Sequence, residues 1–164
     1  MKRRRGFTFI ELSVVLTILA LFTTLAVVSF REPYQKIRFR NTIEQIDFWQ
    51  TLQRKQCRRA RQPQILIMDF EAQKLQVGNG ASPSQCLTFQ GGMVVDQLIV
   101  SGKVSNQGTT AMMIGVDGQC ETFALHLSGP FQQTRWLLFA GTTGQMTELD
   151  SAEQVHGALA LLSP

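Results

Sequence analysis

From Phe7 to Phe30 the chain is apolar for 24 residues, interrupted only by Ser, Thr and one carboxylate, Glu11. As a helix this stretch spans roughly 36 Å, more than a bilayer hydrocarbon core of about 30 Å. Pro33 follows closely. Its missing donor and its ring predict a kink or short break there. Beyond Arg31-Glu32 the pattern changes. Phe39, Ile43, Ile46, Trp49 and Leu52 recur at three- and four-residue spacing, with Arg38, Arg40, Glu44, Gln45, Gln50 and Arg54 between them. That predicts an amphipathic helix from Tyr34 to about Ala60, laid against a sheet and ended by Gln62-Pro63.

The rest of the chain reads as β-rich. Strands are expected over Gln64–Phe70, Leu75–Val77, Cys86–Phe89 and Met93–Val100, with a loop at Gly78–Pro83 and a break at Gly91-Gly92. Gln107–Thr110 reads as another loop. Ala111–Val116 precedes Asp117-Gly118, a strong hairpin-turn signal, and Cys120–Leu127 returns from it. Arg135–Ala140 and Gln145–Leu149 form a last hairpin around Gly141–Gly144. The fold class expected is α+β: a long N-terminal helix, half membrane-spanning and half amphipathic, packed on an antiparallel β-rich head. The segments are 1–6 as a basic leader, 7–30 as the span, 31–62 as the amphipathic helix and 63–164 as the head.

Charge sets the topology. The chain carries 16 Lys and Arg against 12 Asp and Glu. Four of the basic residues, Lys2, Arg3, Arg4 and Arg5, stand directly before the apolar run, and removing them leaves 16 − 4 = 12 of each sign. The basic balance is therefore a positive-inside signal that keeps the N-terminus cytoplasmic and exports the head, and no nucleic-acid binding is expected. The remaining basic cluster, Arg54, Lys55, Arg58, Arg59 and Arg61, lacks interleaved aromatics and reads as a solvated helix face near a C-terminus. A secretory signal peptide would have a shorter apolar core with an A-x-A site after it, which this chain lacks. A carboxylate inside an apolar span costs several kcal/mol unless something answers it, so Glu11 is a candidate functional residue.

Gly6, Phe7, Thr8, Phe9, Ile10 and Glu11, followed by Leu12 and Val14–Ile18, resemble the start of type IV prepilins and type II secretion pseudopilins. The resemblance implies that a prepilin peptidase cuts between Gly6 and Phe7 and methylates the new Phe7 amino terminus. An ammonium at Phe7 of one subunit can then pair with Glu11 of a neighbour, leaving neither charge alone and fixing axial register. Weaker likeness extends into the head. Ile114–Gln119 followed by Phe123–Leu127, and Trp136–Phe139 followed by Met146–Leu149, resemble the late strands of H-type minor pseudopilins and related minor pilins. The sequence departs from that pattern at Gly115 and in its long tail, Val155–Pro164.

The resemblance implies a minor pseudopilin of the type II secretion system, single-pass in a bacterial inner membrane with a periplasmic head. Its implied partners are the prepilin peptidase, other pseudopilins or pilins, the secretion or pilus inner-membrane platform, and the lipid bilayer. A minor type IV pilus subunit and a non-polymerising membrane-anchored envelope protein are the alternatives. No catalytic constellation is legible: His126 and His156 are far apart, and Ser128-Gly-Pro is not a nucleophile elbow. No cofactor and no metal are expected, because Asp150 and Glu153 alone do not make a calcium cage. Cys57, Cys86 and Cys120 are odd in number. In an oxidising compartment Cys86 and Cys120 are the favoured disulfide pair, since both open candidate strands, and Cys57 with either of them is a second pairing. Free buried thiols are the alternative.

Overall fold

The computed structural model describes residues 8–78 and 83–162. The architecture is α+β and pilin-like: one long N-terminal helix, α1 (Phe9–Ala60), whose later part packs on an antiparallel β-sheet head. The chain divides into two compact units between Arg38 and Phe39.

In the first unit, α1 begins just after Thr8. The Thr8 side chain caps it: Oγ1 accepts from the Glu11 amide at 3.3 Å, and the Thr8 carbonyl accepts from Leu12 at 3.2 Å. The helix is rich in β-branched residues, which lower helix propensity in water but are at home where no solvent competes for backbone bonds. Four of its hydroxyls bond back to the helix's own carbonyls. Ser13 donates to the Ile10 carbonyl, Thr17 to Ser13, Thr23 to Leu19 and Thr24 to Leu21, all at 2.7–2.8 Å. The helix runs through Pro33 without interruption, so of the expected kink or short break the break is absent. The proline removes one donor, while Glu32 and Lys36 close an exposed ion pair of 2.8 Å across the same turn.

In the second unit, two antiparallel sheets share one core with the later part of α1. The first sheet has the order β3-β2-β1-β6, from β1 (Gln64–Asp69), β2 (Lys74–Gly78), β3 (Pro83–Thr88) and β6 (Thr109–Ile114). The second has the order β5-β4-β7-β8-β9, from β4 (Val94–Val100), β5 (Lys103–Ser105), β7 (Phe123–Gly129), β8 (Gln133–Phe139) and β9 (Met146–Leu149). Phe39, Ile43 and Ile46 of α1 are buried against Leu66, Met68, Leu98, Leu125 and Phe139. Two expectations are corrected, and one further element emerges. Asp117-Gly118 turns the chain but makes no β6–β7 hairpin. The bridge Ile114↔Cys120 and the Gly115 amide donating to the Gln119 carbonyl (2.7 Å) close the turn, and β7 leaves to pair with β4 and β8. Leu52, expected in the core, is exposed. The tail is a helix, α2 (Ala152–Leu162), whose Val155 and Leu159 bury against Ile99, Ala124, Trp136 and Leu138 on the outer face of the second sheet.

Candidate functional site: the apolar helix and its seating in the head

Every described side chain from Phe9 to Phe30 is exposed. An 18-residue window of α1 reaches a mean hydropathy of 2.4, and none of that window is buried within the chain. Such a surface is stable only when lipid or other apolar helices cover it. Glu11 lies in the first turn of this helix, and a carboxylate there faces the positive end of the helix dipole. Thr8-x-x-Glu11 also has capping-box spacing, and its Thr8 half is formed. Glu11 therefore sits where the helix itself tolerates a negative charge. The processing residues Gly6 and Phe7 lie outside the described residues.

Within the head, the inner face of α1 is apolar at first and then polar. Phe39, Ile43 and Ile46 are followed by Gln50, Gln53, Arg54 and Cys57, all buried. Trp49 is half-buried against the same core. Arg54 corrects the reading of the basic cluster as a solvated face, since it is only 2% exposed while Lys55, Arg58, Arg59 and Arg61 are exposed. Its guanidinium donates from Nη1 to the Gly141 carbonyl (3.0 Å) and from Nη2 to the Ala140 carbonyl (3.2 Å). Nη2 also lies 2.9 Å from Cys120 Sγ. With the Gln50 amide oxygen assigned toward it, Gln50 accepts from Arg54 Nε (2.8 Å) and Nη2 (3.1 Å). Gln53 donates across the core to Gln85 Oε1. No carboxylate forms an ion pair with Arg54 among the described residues. The charge is therefore held by neutral acceptors whose geometry is fixed by the β8–β9 loop.

That loop is built to meet it. The Ala140 carbonyl accepts from Gly144 (2.8 Å), and Ala140 donates to Gln145 (3.0 Å). Gly141 donates to Thr122 Oγ1 (3.0 Å) and accepts from Cys120 (3.1 Å). A Cβ at Gly141 would fall 2.1 Å from the Cys120 carbonyl oxygen, so only glycine permits this approach.

The three cysteines are free thiols. The expected pair Cys86–Cys120 is not brought together. Cys86 pairs in register with Gln76 and so with Ile67 and Ala111, on the outer face of the first sheet, where it is exposed. Cys120 faces α1. Burial pushes the Cys57 and Cys120 thiols up; at Cys120 the Arg54 guanidinium works against that shift without cancelling it.

His126 lies half-buried on the outer face of the second sheet. Its Nδ1 is 3.2 Å from Asp96 Oδ2, and its ring lies 4.7 Å from that of Trp136. Ser128 on the same strand donates to the Val94 carbonyl (3.4 Å), so Asp96, His126 and Ser128 do not form a nucleophile relay. Among the described residues no three His, Cys, Asp or Glu side chains gather into a metal site.

Residues 1–27 match the prokaryotic N-terminal methylation motif. No curated protein and no solved structure matches the chain. Among the described residues one helix is long and apolar enough to span a membrane, and with the motif and the pilin-like fold it gives the features of a general pilin-like, membrane-anchored assembly protein.

Proposed function

We propose that this chain is a minor pseudopilin of a type II protein secretion system, drawn from the inner membrane into a periplasmic filament through its N-terminal helix. The observation that carries the reading is the exposed apolar surface of the described side chains from Phe9 to Phe30, which overlaps the methylation motif and holds Glu11 in its first turn. Before assembly the bilayer covers that face. After extraction only the equivalent helices of sibling pseudopilins or pilins can do so. A prepilin peptidase cuts between Gly6 and Phe7 and methylates Phe7. The resulting ammonium meets Glu11 of the next subunit, so that each buried charge has an opposite partner. The inner-membrane platform performs the extraction, and the head stays periplasmic.

Mass spectrometry of the amino terminus tests this. The expected product is a chain beginning at N-methyl-Phe7, and Gly6→Leu should block the cut by filling the space in which the peptidase must work. Glu11→Ala should insert normally, because it makes the span more apolar, but should co-purify with sibling subunits several-fold less. An intact Met1 in membranes containing an active prepilin peptidase would overturn the reading. Genes for a retraction ATPase and a pilus platform beside this one would instead favour a minor type IV pilus subunit.

A further inference from the structure

Cys57 and Cys120 are brought to one place from two directions. Cys57 is fully buried on the inner face of α1, one turn after Arg54. Its thiol reaches Gln64 Oε1 at 3.3 Å. Gln64 pairs with Ile114, and Ile114 bridges to Cys120. Partners across antiparallel strands share a face, so Gln64, Ile114 and Cys120 all point at the same stretch of helix. The loop before Cys120 reaches that stretch independently. A Cβ at Gly118 would lie 2.9 Å from the Arg54 carbonyl oxygen and 2.8 Å from Arg58 Nε. Arg54 and Arg58 flank Cys57 in the helix, and Arg54 Nη2 touches Cys120 Sγ. The 118–120 segment is therefore seated on the turn that carries Cys57, while Cys86 stands on the opposite face of its sheet.

We propose that Cys57 and Cys120 are the native disulfide pair of the head, tying the end of α1 to the segment that leads from β6 to β7. The proposal rests on export of the head to an oxidising compartment. Each thiol loses a proton and together they give up two electrons as the S–S bond forms. The electrons reduce the disulfide of a dithiol oxidoreductase or of oxidised glutathione to two thiols. Cys120 Sγ turns away from the guanidinium to make the bond, and Arg54 keeps Ala140, Gly141 and Gln50. Cys57 is buried and Cys120 partly so, and burial raises both thiols, so the bond forms while the head is folding, before α1 closes over it.

The test refolds the detergent-solubilised full chain from urea in a reduced/oxidised glutathione couple, traps free thiols with iodoacetamide and maps the peptides. The expected product links the Cys57 and Cys120 peptides and leaves Cys86 alkylated. It unfolds at a temperature several degrees above the dithiothreitol-treated protein. Cys86→Ser should keep the link, and Cys57→Ser or Cys120→Ser should abolish it. Two alkylated thiols at 57 and 120, or a link through Cys86, would overturn the proposal. So would a free Cys57 in cells whose protein carries a processed Phe7. An unprocessed N-terminus would count against the assembly reading alone, because the refolding assay needs neither membrane insertion nor export.

Discussion

Replacing Arg54 tests how α1 is held to the head. The guanidinium is 2% exposed and bonds to two carbonyls, one amide and one thiol. Both carbonyls keep a second partner without it: Gly144 for Ala140 and Cys120 for Gly141. Truncation therefore orphans chiefly the buried Gln50 oxygen, at about 1–3 kcal/mol. It also leaves a void where the side chain packed. Arg54→Ala should lose about 3 kcal/mol. Arg54→Met refills most of the volume and removes the cost of burying a charge that no carboxylate answers, so its loss should be only about 1 kcal/mol. Arg54→Lys keeps the charge but exchanges a planar fork for a compact, strongly hydrated ammonium. It should be worse than Met, at about 2–4 kcal/mol. Equilibrium denaturation of the detergent-solubilised chain measures all three. Both tryptophans, Trp49 and Trp136, lie in the head and report on it alone. If Arg54→Lys were as stable as the parent and Arg54→Met far weaker, charge rather than fork geometry would be holding the loop.

Three further outcomes follow from the same packing. Ile46→Asp places an unpaired carboxylate where a side chain 1% exposed now sits, and should lower stability by about 4 kcal/mol or more in the same assay. An unchanged midpoint would put Ile46 outside the core. Gly141→Ala drives a methyl into the Cys120 carbonyl and the Thr122 amide, both backbone, and should cost at least about 2 kcal/mol. Faster alkylation of Cys120 in that variant would locate the damage. The Cys57 and Cys120 thiols are raised in the folded head, so reduced protein binds these protons more tightly folded than unfolded. Their contribution is present below the ordinary thiol value of about 8.5 and is lost as pH rises through the raised folded values. The midpoint of the reduced protein should fall with alkaline pH, and the slope should flatten in Cys57→Ala/Cys120→Ala. An equal slope in both proteins would assign the effect to other groups.

The apolar span, the helix after it and most strands were legible because their periodicity is long and uniform. The face of the second helix was legible only in part. Following hydrophobicity from Ile46 leads to Trp49 and Leu52, two steps of three residues, which turn the stripe by about 120° around the axis. The buried line instead keeps alternating steps of four and three, through Phe39, Ile43, Ile46, Gln50, Gln53 and Cys57. Three of those six are not aliphatic or aromatic, so composition hid what spacing preserved. β5 was missed because it is three residues long, although Ser101-Gly102, both at positive φ, carries the turn that forms it. α2 had its own mark in Ser151-x-x-Gln154, where the Ser151 hydroxyl accepts from the Gln154 amide at 3.3 Å. Which strand Asp117-Gly118 would deliver to which sheet depends on pairing far along the chain, and no local signal encodes that.

The change from apolar to polar along α1 has a mechanical meaning. Phe39, Ile43 and Ile46 supply burial, but apolar contacts are non-directional and resist sliding only through shape. Arg54 and Gln53 supply bonds with direction. Moving α1 by one residue along its axis, about 1.5 Å, would break the guanidinium bonds to Ala140 and Gly141 together and carry Gln53 away from Gln85. The polar half therefore sets the register in which the apolar half is buried. On the assembly reading, extraction from the membrane pulls on this same helix, and the head must follow it without slipping. A core that was apolar throughout could be as stable at rest yet yield more readily along the axis. That difference gives a reason for burying an arginine that no carboxylate among the described residues pairs with.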